Sequence, residues 1–118
     1  MRILHVEDDT DTRALVALVL ESEGWEVVSV ATKTEATSAA RGESFDIYLI
    51  DNWIEDDAGP DLCVALRSVD SRTPILFYSG VAYPSDIETA LACGAQGYLT
   101  KPSTPEALVQ AIRKITKL

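Results

Sequence analysis

Four polar groups in this chain each follow a short apolar run. Glu7-Asp8-Asp9 follows Ile3-Leu4-His5-Val6, Asp51 follows Ile47-Tyr48-Leu49-Ile50, Ser79-Gly80 follows Ile75-Leu76-Phe77-Tyr78, and Lys101-Pro102 follows Gly97-Tyr98-Leu99-Thr100. If these groups converge, three or four carboxylates share one small crevice. Like charges so close raise one another's pKa and destabilise a fold unless something positive lies between them. An oxygen-rich cluster suits a hard divalent cation. Mg²⁺ is expected over Ca²⁺, because a few carboxylates leave room for the waters Mg²⁺ keeps and no EF-hand spacing is present. Lys101 adds a fixed positive charge and Ser79 a hydroxyl. A carboxylate nucleophile, a metal, a cation and a hydroxyl donor are the parts needed to receive a phosphoryl group on an aspartate.

The elements that must bring these residues together are legible in the periodicity. With Val27-Val28-Ser29-Val30 there are five apolar or β-branched runs of strand length, spaced too far apart for tight hairpins. The segments between them read as helices over about 11–23, 33–41, 60–69, 84–93 and 105–117. Thr32-Lys33-Thr34-Glu35 is a capping box; Gly24, Gly42 and Gly94 stand where helix C-termini need φ > 0; Pro60, Pro84 and Pro105 fit the first helical turn. Strict βα alternation with near-continuous apolar strands predicts an α/β fold, a five-stranded parallel sheet covered on both faces. The expected strand order is 2-1-3-4-5, the flavodoxin-like (βα)5 three-layer sandwich, in which ligands bind at the carboxyl ends of the strands where the order reverses.

Composition narrows the function classes. At 118 residues the chain is shorter than the ~150 residues of a typical domain, so one domain over 1–118 is expected. A formal net charge of -9 argues against direct nucleic-acid binding and against anionic membranes. Cys63 and Cys93, 30 positions apart without a CxxC pair, indicate neither a zinc site nor a disulfide framework and fit a reducing cytoplasm. The N-terminus is no signal peptide, and no apolar run approaches the ~20 residues of a membrane span.

Taken together, Ile3–Asp9, Asp46–Asp51, Tyr78-Ser79-Gly80 and Gly94–Pro102 resemble the receiver domain of two-component response regulators, over the whole chain and with every motif in order. The resemblance implies that Asp51 is the phosphoacceptor, taking its phosphoryl group from a phosphohistidine on a partner kinase or phosphotransfer protein, or from a small acyl phosphate. It implies that Asp8 holds Mg²⁺ directly, Glu7 through water, and Asp51 and the backbone carbonyl of Trp53 complete the shell. Lys101 would pair with the phosphoryl oxygens and Ser79 would hydrogen-bond them. Tyr98 would swing inward when Ser79 moves, reshaping the surface of the fourth helix, fifth strand and fifth helix for a downstream protein, an output domain or a second copy. The Lys101-Pro102 bond would be cis. The chain would catalyse only its own phosphorylation and dephosphorylation. With Leu118 soon after the fifth helix, no output domain is expected to follow, whether the receiver stands alone or is cut from a longer regulator or hybrid kinase.

Three positions depart from the family pattern. Glu55 stands where a Pro is usual and is followed by Asp56-Asp57, an acidic loop expected to favour cations. Trp53, two residues after Asp51, is expected to shield the site from attacking water and slow dephosphorylation. Ser103 replaces a frequent Phe. Plainer readings also exist: Asp8 and Asp9 can cap the first helix, though capping does not account for Glu7 or Asp51, and His5, Trp25, Cys63 and Cys93 read as packing residues. A flavin-binding protein would want a phosphate loop after the first strand, where Glu7-Asp8-Asp9 repels phosphate. A dehalogenase-type phosphatase would want Asp at position 53, and no P-loop is present. The alternative that survives is a receiver-like interaction module that does not use phosphorylation.

Overall fold

The computed structural model describes residues 1–54, 57–80 and 82–117. The elements run β1 (Arg2–Val6), α1 (Thr10–Glu21), β2 (Glu26–Val30), α2 (Lys33–Gly42), β3 (Ile47–Ile50), β4 (Trp53–Ile54), β5 (Asp57–Ala58), α3 (Gly59–Val69), β6 (Ile75–Ser79), α4 (Pro84–Ala92), β7 (Gly97–Thr100) and α5 (Pro105–Thr116). Five strands form one sheet in the order β2-β1-β3-β6-β7, every pairing parallel. This is the 2-1-3-4-5 order expected of the five apolar runs. Because alternate residues of a strand face opposite sides, the central strands feed two cores at once. Leu4, Val6, Tyr48, Ile50 and Phe77 pack with Ala36 of α2, Leu62 and Leu66 of α3 and Ala90 of α4. Ile3, Ile47, Leu49, Leu76 and Tyr78 pack with Val16 and Leu20 of α1 and Leu108, Val109 and Ile112 of α5. All four residues of β3 are buried, as a strand covered on both faces requires.

Helix punctuation falls mostly where it was expected. Asp9 caps α1 and Thr104 caps α5. In the α2 box Thr32 Oγ1 accepts from Glu35 N at 3.1 Å, while the reciprocal leg reaches one residue back, Glu35 Oε1 accepting from Ala31 N at 3.3 Å. Pro60, Pro84 and Pro105 occupy first turns. Gly24 and Gly94 take φ of +82° and +104°, the left-handed conformation that closes a helix.

Three readings need correction. Gly42 is not a left-handed cap: it is the last residue of α2, and the chain leaves extended at Glu43, φ −143°, where Arg2 holds Glu43 Oε1 at 2.7 Å and Ser44 O at 3.0 Å. The first helix ends at Glu21 rather than 23, because tight turns from Glu23 N to Leu20 O and Gly24 N to Glu21 O close it early. A two-stranded antiparallel hairpin, β4 with β5, stands where only a loop was read. Two-residue strands carry no periodicity to detect. Glu55 and Asp56 of the acidic loop lie outside the described residues, and at Asp57 only the backbone is described. Cys63 and Cys93 are free thiols; Cys63 Sγ donates to the Cys93 carbonyl at 3.2 Å. Among the described residues, no helix is long and apolar enough to cross a membrane.

Candidate functional site

The site lies at the carboxyl ends of β1, β3, β6 and β7, and the sheet's own hydrogen bonding fixes its residues. Glu7 N donates to Val30 O at 3.0 Å, Asp51 N to Val6 O at 3.2 Å and Lys101 N to Ser79 O at 2.9 Å. Each ladder therefore runs one step beyond its strands and anchors the backbone of an acidic or basic residue. Carboxylate oxygens of Glu7, Asp8 and Asp51 come within 4.8 Å of one another. The expected acidic cluster is thus assembled.

Asp9 stands apart from that cluster. Its Oδ2 accepts from Thr12 N at 2.9 Å and Thr12 Oγ1 at 2.6 Å, and these bonds hold its carboxyl below the ordinary value. The capping reading is the correct one for Asp9. Arg13, one turn into α1, was not singled out from the sequence. Its Nη1 donates to the carbonyls of Glu7 at 2.9 Å and Asp8 at 3.4 Å, so a cation fixes the backbone that carries the acids.

Lys101 provides the central charge. Its Nζ hydrogen-bonds Glu7 Oε1 and lies 3.4 Å from Asp51 Oδ2. Glu7 is 2% exposed, and burial raises its carboxyl above the ordinary range against the opposing pull of Lys101, with Asp51 adding to the rise. Burial would lower the Lys101 ammonium, yet Glu7 and Asp51 together keep it above its ordinary value. Lys101 Nζ also stands 5.3 Å over the Tyr78 ring, and Tyr78 Oη and Ser103 Oγ share a hydrogen bond at 3.1 Å. Ser103, where a Phe is more usual, thus ties the Lys101 loop back to β6. The Lys101-Pro102 peptide is cis.

The groups expected to act as a switch lie on the other side of Asp51. Ser79, the last residue of β6, is 1% exposed. Tyr98 already points inward. Its ring stacks on Phe77 with centroids 5.5 Å apart and planes at 10°, and its hydroxyl meets Asn52 Nδ2 at 3.2 Å and also bonds Ser79. An inward swing of Tyr98 was expected as a consequence of Ser79 moving; in this structure the ring lies inward, stacked on Phe77. Asn52 was missed, because a polar residue after a strand looks like ordinary loop. It is 3% exposed, and its amide N–H donates to Asp51 Oδ1 at 2.7 Å. Trp53 is 54% exposed and pairs with Ala58 in the hairpin beside Asp51. His5 is buried with Nδ1 unpartnered, and burial, with Lys101 and Arg13 nearby, lowers its pKa to about 3. It stays neutral and structural.

Three carboxylates, a lysine and a hydroxyl on a rigid sheet edge form a geometry suited to binding a transferring phosphoryl group. A family model described as the response regulator receiver domain matches residues 3–113. The DNA-binding response regulator MtrA of Mycobacterium tuberculosis is 33% identical over 112 residues, 95% of this chain and 49% of that protein. The chain therefore spans about half the length of the curated relatives it matches. A CheY-like receiver domain protein from Methanospirillum hungatei has a TM-score of 0.93 at 29% identity, covering 98% of this chain and 93% of that one. The receiver domain of a sensor histidine kinase from Pseudomonas aeruginosa, solved with a magnesium ion coordinated in its active-site cleft, has a TM-score of 0.90 at 26% identity over 99% and 98% of the two chains. With the fold, the strand-end residues and the family match all in agreement, this chain belongs to the response regulator receiver domains.

Proposed function

We propose that the chain is a phosphorylation-controlled signalling switch whose phosphoacceptor is Asp51. The observation that carries this reading is the meeting of Asp51 with Glu7, Asp8 and Lys101 at the reversal point of the sheet. An Asp51 carboxylate oxygen attacks the phosphorus of a phosphohistidine on a kinase or phosphotransfer protein, or of a small acyl phosphate. A P–O bond to Asp51 forms as the bond to imidazole nitrogen or carboxylate oxygen breaks, and the leaving group keeps the electron pair. Lys101, 3.4 Å from Asp51 Oδ2, neutralises the incoming phosphoryl oxygens, and Ser79 donates its hydroxyl to one of them.

The donor set fits Mg²⁺: three carboxylates whose oxygens lie within 4.8 Å of one another are too few for a Ca²⁺ cage and leave room for retained water. Asp8 and Asp51 would hold the ion directly, Glu7 through water and Trp53 through its backbone carbonyl. When bound, the ion offsets the charge that builds on the transferring group. Glu7, with Lys101 on Oε1 and the Asp9 amide on Oε2 at 3.3 Å, is already occupied by protein partners, which suits it to an indirect role.

The chain acts on no external substrate beyond its phosphoryl donor, so it is a switch that catalyses only its own phosphorylation and dephosphorylation. Its output is the surface of α4, β7 and α5, offered to a downstream protein, an output domain or a second copy. Direct nucleic-acid binding is not part of this reading, given the charge of -9. A reducing cytoplasm suits its two free thiols. The test is intact mass after incubation with acetyl phosphate and Mg²⁺. A gain of about 80 Da, one phosphoryl group, is expected, with no gain in EDTA or in Asp51→Asn. A wild type that gains nothing here or from a phosphorylated kinase supports the phosphorylation-independent interaction module instead.

A further inference from the structure

Asn52 touches both the acceptor aspartate and the aromatic side chain of the switch. Its backbone N–H donates to Asp51 Oδ1 at 2.7 Å and its side-chain Nδ2 donates to Tyr98 Oη at 3.2 Å. The side chain is locked in place by the start of α3. A Cβ on Gly59 would stand 2.7 Å from Asn52 Cα and 2.8 Å from Asn52 Oδ1, so the α3 backbone closes directly over Asn52. An amide so buried needs a partner, and Tyr98, stacked on Phe77, supplies one. Apolar packing alone would be met as well by an aliphatic side chain; the amide adds a directed bond to the Tyr98 hydroxyl.

We propose that Asn52 is a positioning residue that holds the Tyr98 ring inward against Phe77 and so biases the α4–β7–α5 surface. Removing the Asn52 amide frees the ring to move outward and makes its position depend more strongly on phosphorylation. The last statement rests on the reading of Asp51 as phosphoacceptor; the first does not. One neutral hydrogen bond biases a two-state equilibrium on the order of five-fold, which is the size of effect to look for.

The experiment follows ring-to-ring nuclear Overhauser contacts between position 98 and Phe77 in the full chain, first without any phosphoryl donor. Wild type is expected to show them strongly. Asn52→Leu, which keeps the volume and loses the donor, is expected to lower the inward-to-outward ratio about five-fold. Tyr98→Phe, which removes the hydroxyl and with it the bonds to both Asn52 and Ser79, should lower the ratio at least as far, and adding Asn52→Leu to it should change nothing further. Undiminished contacts in the folded single variants, or additive losses in the double, would overturn the proposal. If Asn52→Leu does not fold, Asn52→Ala takes its place and decides. A second series adds acetyl phosphate and Mg²⁺, and there Asn52→Leu should regain part of the contacts it lost. A wild type that takes up no phosphoryl group defeats the reading of Asp51 and leaves the resting-state result for Asn52 standing.

Discussion

Lys101 lies between an almost fully buried carboxylate and the candidate acceptor, and the cost of removing it follows from that placement. In Lys101→Met, Glu7 keeps its 2% exposure but loses its cation. Breaking a fully buried pair costs about 3–5 kcal/mol; with the Lys101 side chain 21% exposed, about 2 kcal/mol is expected in urea unfolding. Adding Glu7→Gln should recover most of that loss. A double variant no more stable than Lys101→Met would show that Glu7 is not the group Lys101 compensates. Trp53 makes a kinetic prediction: if its large side chain beside Asp51 screens the acyl phosphate from water, Trp53→Asn shortens the phospho-lifetime several-fold, and an unchanged lifetime sinks the idea. The primary site residues were legible because their types occur nowhere else at strand ends in this pattern. Arg13, Asn52 and Tyr78 were not, since their roles depend on partners 5 to 46 positions away that only the folded chain identifies.

Two elements carry the site from below. The start of α3 packs so closely on the end of β3 that a Cβ on Gly59 would lie 2.6 Å from Phe77 Cε2 and 2.7 Å from Asn52 Cα. The second of these is backbone and cannot turn aside, so Gly59→Ala should destabilise the fold by about 1–3 kcal/mol, and an unaltered unfolding midpoint would contradict it. At the opposite end of the sheet, Asp70 closes α3 onto β3 and β6. Its carboxylate accepts from Thr73 Oγ1, Arg72 N at 2.9 Å and Tyr48 Oη at 3.1 Å. The Thr73 hydroxyl first, then the Arg72 amide, hold the Asp70 pKa at about 2, below its ordinary 3.8. A folded-state value below the unfolded one means stability that is fully present above about pH 4 and lost as the pH falls through about 2. Asp70→Asn should therefore lower the urea midpoint at pH 7 and lose that deficit near pH 2; a deficit independent of pH would contradict the network. The five long strands were legible because each contains a short apolar or β-branched run set apart by turn residues. The β4–β5 pairing and the extended exit of α2 at Glu43 were not, because tertiary partners rather than local patterns set them.

For the molecule as a whole, the sheet gathers groups of opposite charge at one edge of a chain that carries a net -9. On the proposed reading, a divalent cation and Lys101 would make that edge able to receive a further anion, the phosphoryl group. The fold order, the helices and the acidic crevice all follow from one alternation of apolar runs and amphipathic segments, so the site and the fold are legible together. The inward Tyr98 is not, since side-chain orientation depends on Asn52 and Phe77 meeting it in space. The most direct test of the account is the position of the label. Protein treated with acetyl phosphate and Mg²⁺ is reduced with borohydride, which converts an aspartyl phosphate to homoserine, and the peptides are sequenced by mass spectrometry. Homoserine at position 51 alone is predicted. Conversion at Asp8, at another carboxylate, or at none would contradict the assignment of Asp51 as the phosphoacceptor.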